Sequence, residues 1–244
     1  MENKRLDLQL KEWHQELSRS QIQELITIGA VTVNGRVITQ SSFLVKNDAL
    51  ITVDKRRLTY VSRAGLKLEH ALQTFSIVVK DLVCLDAGLS TGGFTDCLLR
   101  HGAQKVYGID VGTAQVDPKI AGDNRVIVME NTDIRRVPVI PDIIDCVTLD
   151  LSFISIIKVI YEVARLVKPG GMLIVLIKPQ FEVGLEIARR HKGVILDGQI
   201  HKAITESVIK NVESAGFECR SLIESLITGG SGNKEFLAYF VKKY

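Results

Sequence analysis

The chain has 244 residues, a formal net charge of +3 and 46% hydrophobic residues. That length suits one medium domain plus a small one, and that composition supports a packed core and excludes a disordered chain. No apolar run approaches the roughly 18–20 residues of a membrane helix, and Met1 to Asp7 lack the apolar core of a signal peptide, so a cytoplasmic protein without a membrane partner is expected. Cys84, Cys97, Cys146 and Cys219 form no C-x-x-C pair and the histidines are scattered. Reduced, buried thiols and no metal site are therefore expected. Bulk charge does not point to a nucleic-acid partner, so any basic patch must be local.

In chain order, Leu6, Leu8 and Leu10 open a first helical pattern. Ser18-Arg19-Ser20 then leads into Ile22, Leu25 and Ile26, a helix-period set with a serine available as N-cap. Gly29 supplies the stop. Val31 to Ile38 reads as a hairpin around Asn34-Gly35, and a further strand covers Leu50 to Val53. Two helices followed by a small Asn-Gly hairpin resemble the αL RNA-binding module named for ribosomal protein S4. The matching residues are Arg5-Leu6-Asp7, Ser18-Arg19, Ile28-Gly29-Ala30-Val31 and Val33-Asn34-Gly35. The resemblance implies an RNA-binding domain over residues 1–58, with Arg5, Arg19 and Arg36 placed to meet an RNA backbone. Ordinary solvated charges are the alternative, since Glu2, Asp7, Glu12, Glu16 and Glu24 dilute that face. Lys55, Arg56, Arg57 and Arg63 form a basic cluster running into a linker over residues 59–67, either a hinge with phosphate contacts or a solvated connection.

Residues 68–244 alternate apolar runs with amphipathic stretches. Strands are predicted near 82–86, 105–110, 126–130, 143–150, 172–178, 217–224 and 235–241, and helices near 64–74, 94–101, 154–167 and 199–215. This alternation predicts an α/β fold, a parallel sheet covered on both faces. The first run ends in Asp86 and passes into Gly88-Leu89-Ser90-Thr91-Gly92-Gly93, a glycine turn before a helix. The second run ends in Asp110, where such folds grip ribose hydroxyls. Ser90 stands where a dinucleotide fingerprint needs its middle glycine, which favours S-adenosylmethionine over NAD. Asp86, Gly88, Ser90, Gly92, Gly93 and Asp110 are the candidate cofactor residues. Asp133, after the third run, is a candidate acceptor for the adenine amine or else a helix cap.

The fourth run ends in Asp150, the fifth in Lys178-Pro179-Gln180-Phe181-Glu182, and Glu235 stands at the mouth of the last strand. A lysine at the end of an apolar strand costs desolvation unless it works or pairs. Together with Val61-Ser62-Arg63-Ala64-Gly65-Leu66-Lys67-Leu68, Asp150-Leu151-Ser152-Phe153-Ile154-Ser155 and Gly232-Asn233-Lys234-Glu235-Phe236-Leu237, these segments resemble the hemolysin A (TlyA) family. The resemblance implies a Rossmann-like methyltransferase sheet of seven strands, mostly parallel with the last antiparallel, behind the small α+β RNA-binding domain. It implies S-adenosylmethionine as cofactor, ribosomal RNA or ribosomal subunits as partner, and methylation of ribose 2′-hydroxyls. It also carries over a tetrad onto Lys67, Asp150, Lys178 and Glu235. In that tetrad Lys178 is the expected general base. Burial and Lys67 favour its neutral form, and Asp150 opposes that but orients the amine. Lys67 is expected to hold the substrate and Glu235 to anchor a lysine or the ribose. Leu89, Leu185, Leu196, Leu226 and Gly230 depart from the family pattern, and Leu89 is expected to tighten the cofactor loop. A non-catalytic RNA-binding protein, a cytolysin and an NAD oxidoreductase are the competing functions.

Overall fold

The computed structural model describes residues 4–46, 48–55, 60–229 and 232–244. Arg56, Arg57, Gly230 and the side chain of Leu185 lie outside the described residues. The chain divides into two compact units, residues 1–66 and 67–244.

In the first unit, β1 (Lys4–Arg5) runs into α1 (Leu6–Trp13), followed by α2 (Arg19–Thr27). Ser18 caps α2 through a reciprocal pair, its hydroxyl accepting from Gln21 N while Gln21 Oε1 accepts from Ser18 N. Gly29, at φ +70°, stops the helix. β2 (Val31–Val33) and β3 (Arg36–Val37) form the expected hairpin, with Asn34 and Gly35 both at positive φ as a two-residue turn demands. β4 (Leu44–Val45) pairs with β1, and β5 (Ile51–Val53) completes the order β3-β2-β5. Leu6, Leu10, Ile22, Leu25, Ile26 and Val31 fill the core beneath.

α3 (Ala64–Thr74) is the helix predicted near 64–74, and it carries Lys67. The second unit continues with β6 (Val83–Ala87), α4 (Gly93–Arg100), β7 (Lys105–Ile109), α5 (Pro118–Ala121), β8 (Val126–Met129) and β9 (Ile144–Leu149). It ends with α6 (Ile160–Leu166), β10 (Val167–Ile177), α7 (Pro179–Glu182), α8 (Leu185–Arg190), α9 (Gly198–Ser214), β11 (Phe217–Glu224) and β12 (Phe236–Lys242). The sheet order is β11-β12-β10-β9-β6-β7-β8, and β12 is antiparallel to both of its neighbours. The chain lays down β6, β7 and β8 in one direction and returns to β9 on the other side of β6. That reversal opens a crevice at the carboxyl ends of β6 and β9, where open α/β sheets bind ligands. Val147, Leu149, Leu173, Val175 and Ile177 are fully buried in the core, as a sheet covered on both faces requires.

Two expectations need adjustment. The helix predicted over 154–167 begins as a 3₁₀ turn, Ile156–Lys158, and becomes α-helical only from Ile160. Its isoleucine and valine run is stiff at χ1 and Ser155 caps the turn instead. The helices α5, α7 and α8 have no sequence period because each spans at most six residues.

Asp86 is wholly buried, and its carboxylate accepts from Thr95 Oγ1 at 2.7 Å and Thr148 Oγ1 at 2.9 Å. Burial raises its pKa to about 6, against the pull of those two hydroxyls. A folded pKa above the unfolded value of about 3.9 means that its stabilising contribution is present below about pH 4 and is lost as pH rises through 6. Asp86→Asn should therefore gain about 3 kcal/mol on wild type between pH 4 and pH 7. Urea unfolding at both pH values measures this, and an offset independent of pH would overturn it.

Candidate active site

The glycine turn after β6 is built for close approach. Gly88 sits at φ +91°, and the N–H groups of Gly88 and Leu89 both donate to Ile109 O, at 2.9 and 3.1 Å. This leaves a cavity of about 500 Å³ whose lining includes Gly88, Ser90, Asp110, Asp133, Asp150 and Phe153. An adenosine-sized ligand suits that volume. Asp110 accepts from Ser90 N and Gly112 N, each at 2.7 Å, which fixes both oxygens while leaving each a lone pair for a ribose hydroxyl. Ser90 holds the left-handed region at φ +48° to make its contact.

Three of the loop residues expected at the cofactor lie outside the cavity lining. Asp86 points into the protein between α4 and β9 and does not line the cavity. Gly92 and Gly93 do not line it either. Gly92 is at φ +94°, and a Cβ there would lie 2.9 Å from Ile120, so this glycine serves the packing of α5. Gly93 is buried as the first residue of α4. Leu89 is the loop's departure from the family pattern. Its side chain is buried over Gly108, where any Cβ would approach within 2.7 Å, so the bare backbone of β7 makes room for it. Asp133 does reach the cavity, but its carboxylate is engaged. It caps the turn Ile134–Arg136 through Arg135 N at 2.9 Å and binds the Arg135 guanidinium, contacts that lower its pKa to about 2. An adenine amine would have to share it.

The strand register assembles the lysines and carboxylates. Leu149 pairs with Val175 near the ends of β9 and β10, so Asp150 and Lys178, just beyond, share one rim of the sheet. Lys178 Nζ lies 2.6 Å from Asp150 Oδ1 and donates to Ser152 Oγ at 2.8 Å. β12 runs the other way, and its first residue, Phe236, pairs with Ile177. Glu235 and Lys178 therefore flank the same pair. Lys67, reaching from α3, places Nζ 2.5 Å from Glu235 Oε2, and both groups are buried. Gly229 permits this, because a Cβ there would lie 2.3 Å from Glu235 Oε1. The result is two ion pairs, one for each lysine. Glu235 is paired with Lys67. Lys67 is matched by its own carboxylate and is not aimed as a bare cation at Lys178. Such pairs are costly to break, since an abandoned buried charge costs about 3–5 kcal/mol.

Beside Lys178, Phe153 is 91% exposed and held at φ +64°. Its ring leans on Phe181 with centroids 4.9 Å apart. Glu182 braces the loop from behind, accepting from Ser155 Oγ at 2.6 Å and Ile156 N at 2.9 Å, and burial raises its pKa. Ser152 and Glu182 were not anticipated as site residues. Their only sequence signal was membership of two quoted motif segments.

The basic residues of the first unit are dispersed. Arg5 makes a two-pronged contact with the buried Asp7, and Arg19 lies 3.9 Å from the same carboxylate. Lys55 pairs with Glu16, Arg36 is exposed on β3, and Arg63 is partly buried and engaged. Arg56 and Arg57 fall outside the described residues. Among the described departures from the family pattern, Leu196 and Leu226 are exposed. Among the described residues no cluster could hold a metal ion, and no helix is long and apolar enough to cross a membrane.

A seven-stranded sheet with one reversed strand, a glycine turn after its first strand and an acid after its second defines the class of S-adenosylmethionine-dependent methyltransferase folds. The profile described as FtsJ-like methyltransferase matches residues 60–242, and the S4 domain profile matches residues 4–51. The chain belongs to the FtsJ-like methyltransferase family. It is 40% identical to Hemolysin A of Brachyspira hyodysenteriae over 92% of this chain and 94% of the relative. It is 35% identical to the 23S rRNA (cytidine-2′-O)-methyltransferase TlyA of Campylobacter jejuni over 93% of this chain and 95% of that one. A solved structure from Streptococcus thermophilus, provisionally named a hemolysin, matches with a TM-score of 0.76 and 34% identity, covering all of this chain and 90% of that one.

Proposed function

We propose that this protein transfers the methyl group of S-adenosylmethionine to a ribose 2′-hydroxyl of ribosomal RNA, with residues 1–58 as the RNA-binding domain, 59–67 as linker and 68–244 as the methyltransferase domain. The observation that carries it is Asp150, which lines the cofactor-sized cavity and at the same time contacts Lys178. A group fit to take a proton thus stands at the mouth of a site fit for adenosine. The relatives that methylate cytidine 2′-oxygens support the substrate class. The exposed ring of Phe153 supports a nucleic-acid substrate, because an uncovered aromatic face is a stacking surface for a base.

The bound cofactor supplies an activated sulfonium methyl, so the protein's task is to align the nucleophile and remove its proton. Gly88 gives the close approach and Asp110 the ribose contact. Lys178 takes the hydroxyl proton. Asp150 and Ser152 aim its Nζ and stabilise the ammonium that results. Glu235 holds Lys67 beside the reacting ribose. The cytoplasm, where ribosomal RNA resides, is the proposed location.

Incubation with labelled S-adenosylmethionine and unmodified ribosomal subunits should give RNA resistant to alkaline cleavage at one ribose, with S-adenosylhomocysteine binding seen by calorimetry. RNA binding without methyl transfer would leave a non-catalytic RNA-binding protein. Binding of NAD in place of S-adenosylhomocysteine would remove the methyltransferase assignment.

A further inference from the structure

A basic run in the second unit has no part in the site so far. Arg189, Arg190, His191 and Lys192 are consecutive, the two arginines in the last turn of α8, His191 its C-cap and Lys192 just beyond. Arg189, Arg190 and Lys192 are exposed and His191 is partly so. Against these three permanent cations stands one carboxylate, Glu186, 3.1 Å from Arg190 with both side chains more than 70% exposed, a pair of little strength. Arg189 and Lys192 make no ion pair among the described residues.

The run is not a loose loop. Lys192 and Gly193 adopt successive left-handed conformations, at φ +51° and +77°, and turn the chain inward to Ile195, which is fully buried. Asn233, 1% exposed, clasps this turn from both sides. Its Oδ1 accepts from Ile195 N at 2.8 Å and its Nδ2 donates to Gly193 O at 2.9 Å. The imidazole Nε2 of His201 meets Ile195 O at 2.9 Å, and the same ring packs edge-on against Phe236, with centroids 5.4 Å apart. These contacts fall within three residues of Lys192 on one side and two residues of Glu235 on the other. The cations are therefore fastened to the stretch that carries the carboxylate partner of Lys67.

We propose that Arg189, Arg190, His191 and Lys192 bind RNA phosphates next to the candidate catalytic centre, as a second RNA contact separate from the first unit. The proposal rests on the RNA methyltransferase function. A ribose presented to Lys178 carries a phosphate on either side, so cations fixed beside Glu235 meet the strand where it enters or leaves the site. Contacts of this kind position the strand and do not read its sequence.

The full-length protein with ribosomal subunits or their RNA tests this. Joint replacement Arg189→Ala and Lys192→Ala should raise the KM for RNA about tenfold and reduce the slope of log affinity against log salt by about 1.4–1.8. The affinity for S-adenosylhomocysteine should stay at the wild-type value. The control pair Arg165→Ala and Arg220→Ala makes the same charge change on α6 and β11 and should leave both KM and slope in place. Wild-type KM and slope in the Arg189/Lys192 variant, with wild-type protein active, would overturn the proposal, as would an equal effect in the control. Failure of the wild-type protein to methylate RNA would instead remove the function on which it rests.

Discussion

Lys178→Met should lower kcat for methyl transfer by about 10²–10⁴-fold, the range of a lost general acid–base group. Binding of S-adenosylhomocysteine should change little, because Lys178 is absent from the cavity lining. Lys178→Arg separates the base from the ion pair. Arginine keeps a positive charge for Asp150, 2.6 Å away in the wild type, but does not give up its proton in proteins. If Lys178 serves as a base, both variants are inactive, and only the methionine variant loses stability, by about 3–5 kcal/mol for the abandoned Asp150 charge. Single-turnover assays and thermal melts measure the two effects. Full activity in Lys178→Arg would show that the charge, not the proton acceptor, is what matters.

Gly88→Ala should abolish cofactor binding at working concentrations. A methyl group at residue 88 would lie 2.4 Å from Asp150 O and 2.8 Å from its carbonyl carbon, both backbone atoms with no freedom to swing aside. The alanine would also hold φ near +91°, where its Cβ is strained. Crowding of this sort costs about 1–3 kcal/mol and the left-handed backbone about 1–2 more. Relief comes only by separating β6 from β9 at the rim, which opens the crevice and moves Asp150 off Lys178. We expect a loss of S-adenosylhomocysteine affinity of at least about hundredfold by calorimetry and a melting temperature lower by at least about 5 °C. Gly198→Ala, at a position with nothing within 4 Å and an ordinary φ, is the matching control and should do neither. Wild-type affinity in Gly88→Ala would show that the turn is a packing device and not a ligand cradle.

The strands were legible because a doubly covered sheet demands long apolar runs and each run here ends in a polar residue. Asp110, Asp150 and Lys178 stood out for that reason. Their grouping was less legible. Nothing local to Glu235 says that β12 inserts beside β10, and only the register brings it against the end of Ile177. The glycine motif announced a tight turn without saying which of its members faces a ligand. Gly88 lines the cavity, Gly92 answers to Ile120, and Asp86 turns away because side chains alternate across a strand. Leu89 was judged against the family pattern of the loop, which does not show that its side chain packs over Gly108 on the adjacent strand. The helix that carries Lys67 was legible from its apolar period, and it runs over Ala64–Thr74. Short helices such as α7 and α8 carry no period to detect.

The reversed strand β12 has a consequence for how the enzyme comes to life. It follows the other described strands in sequence and yet occupies an interior place, between β10 and β11. Until it slots in, β10 presents a raw hydrogen-bonding flank and Lys67 has no carboxylate to meet. A chain cut before Glu235 and β12 therefore lacks both the strand that covers β10 and the carboxylate that meets Lys67.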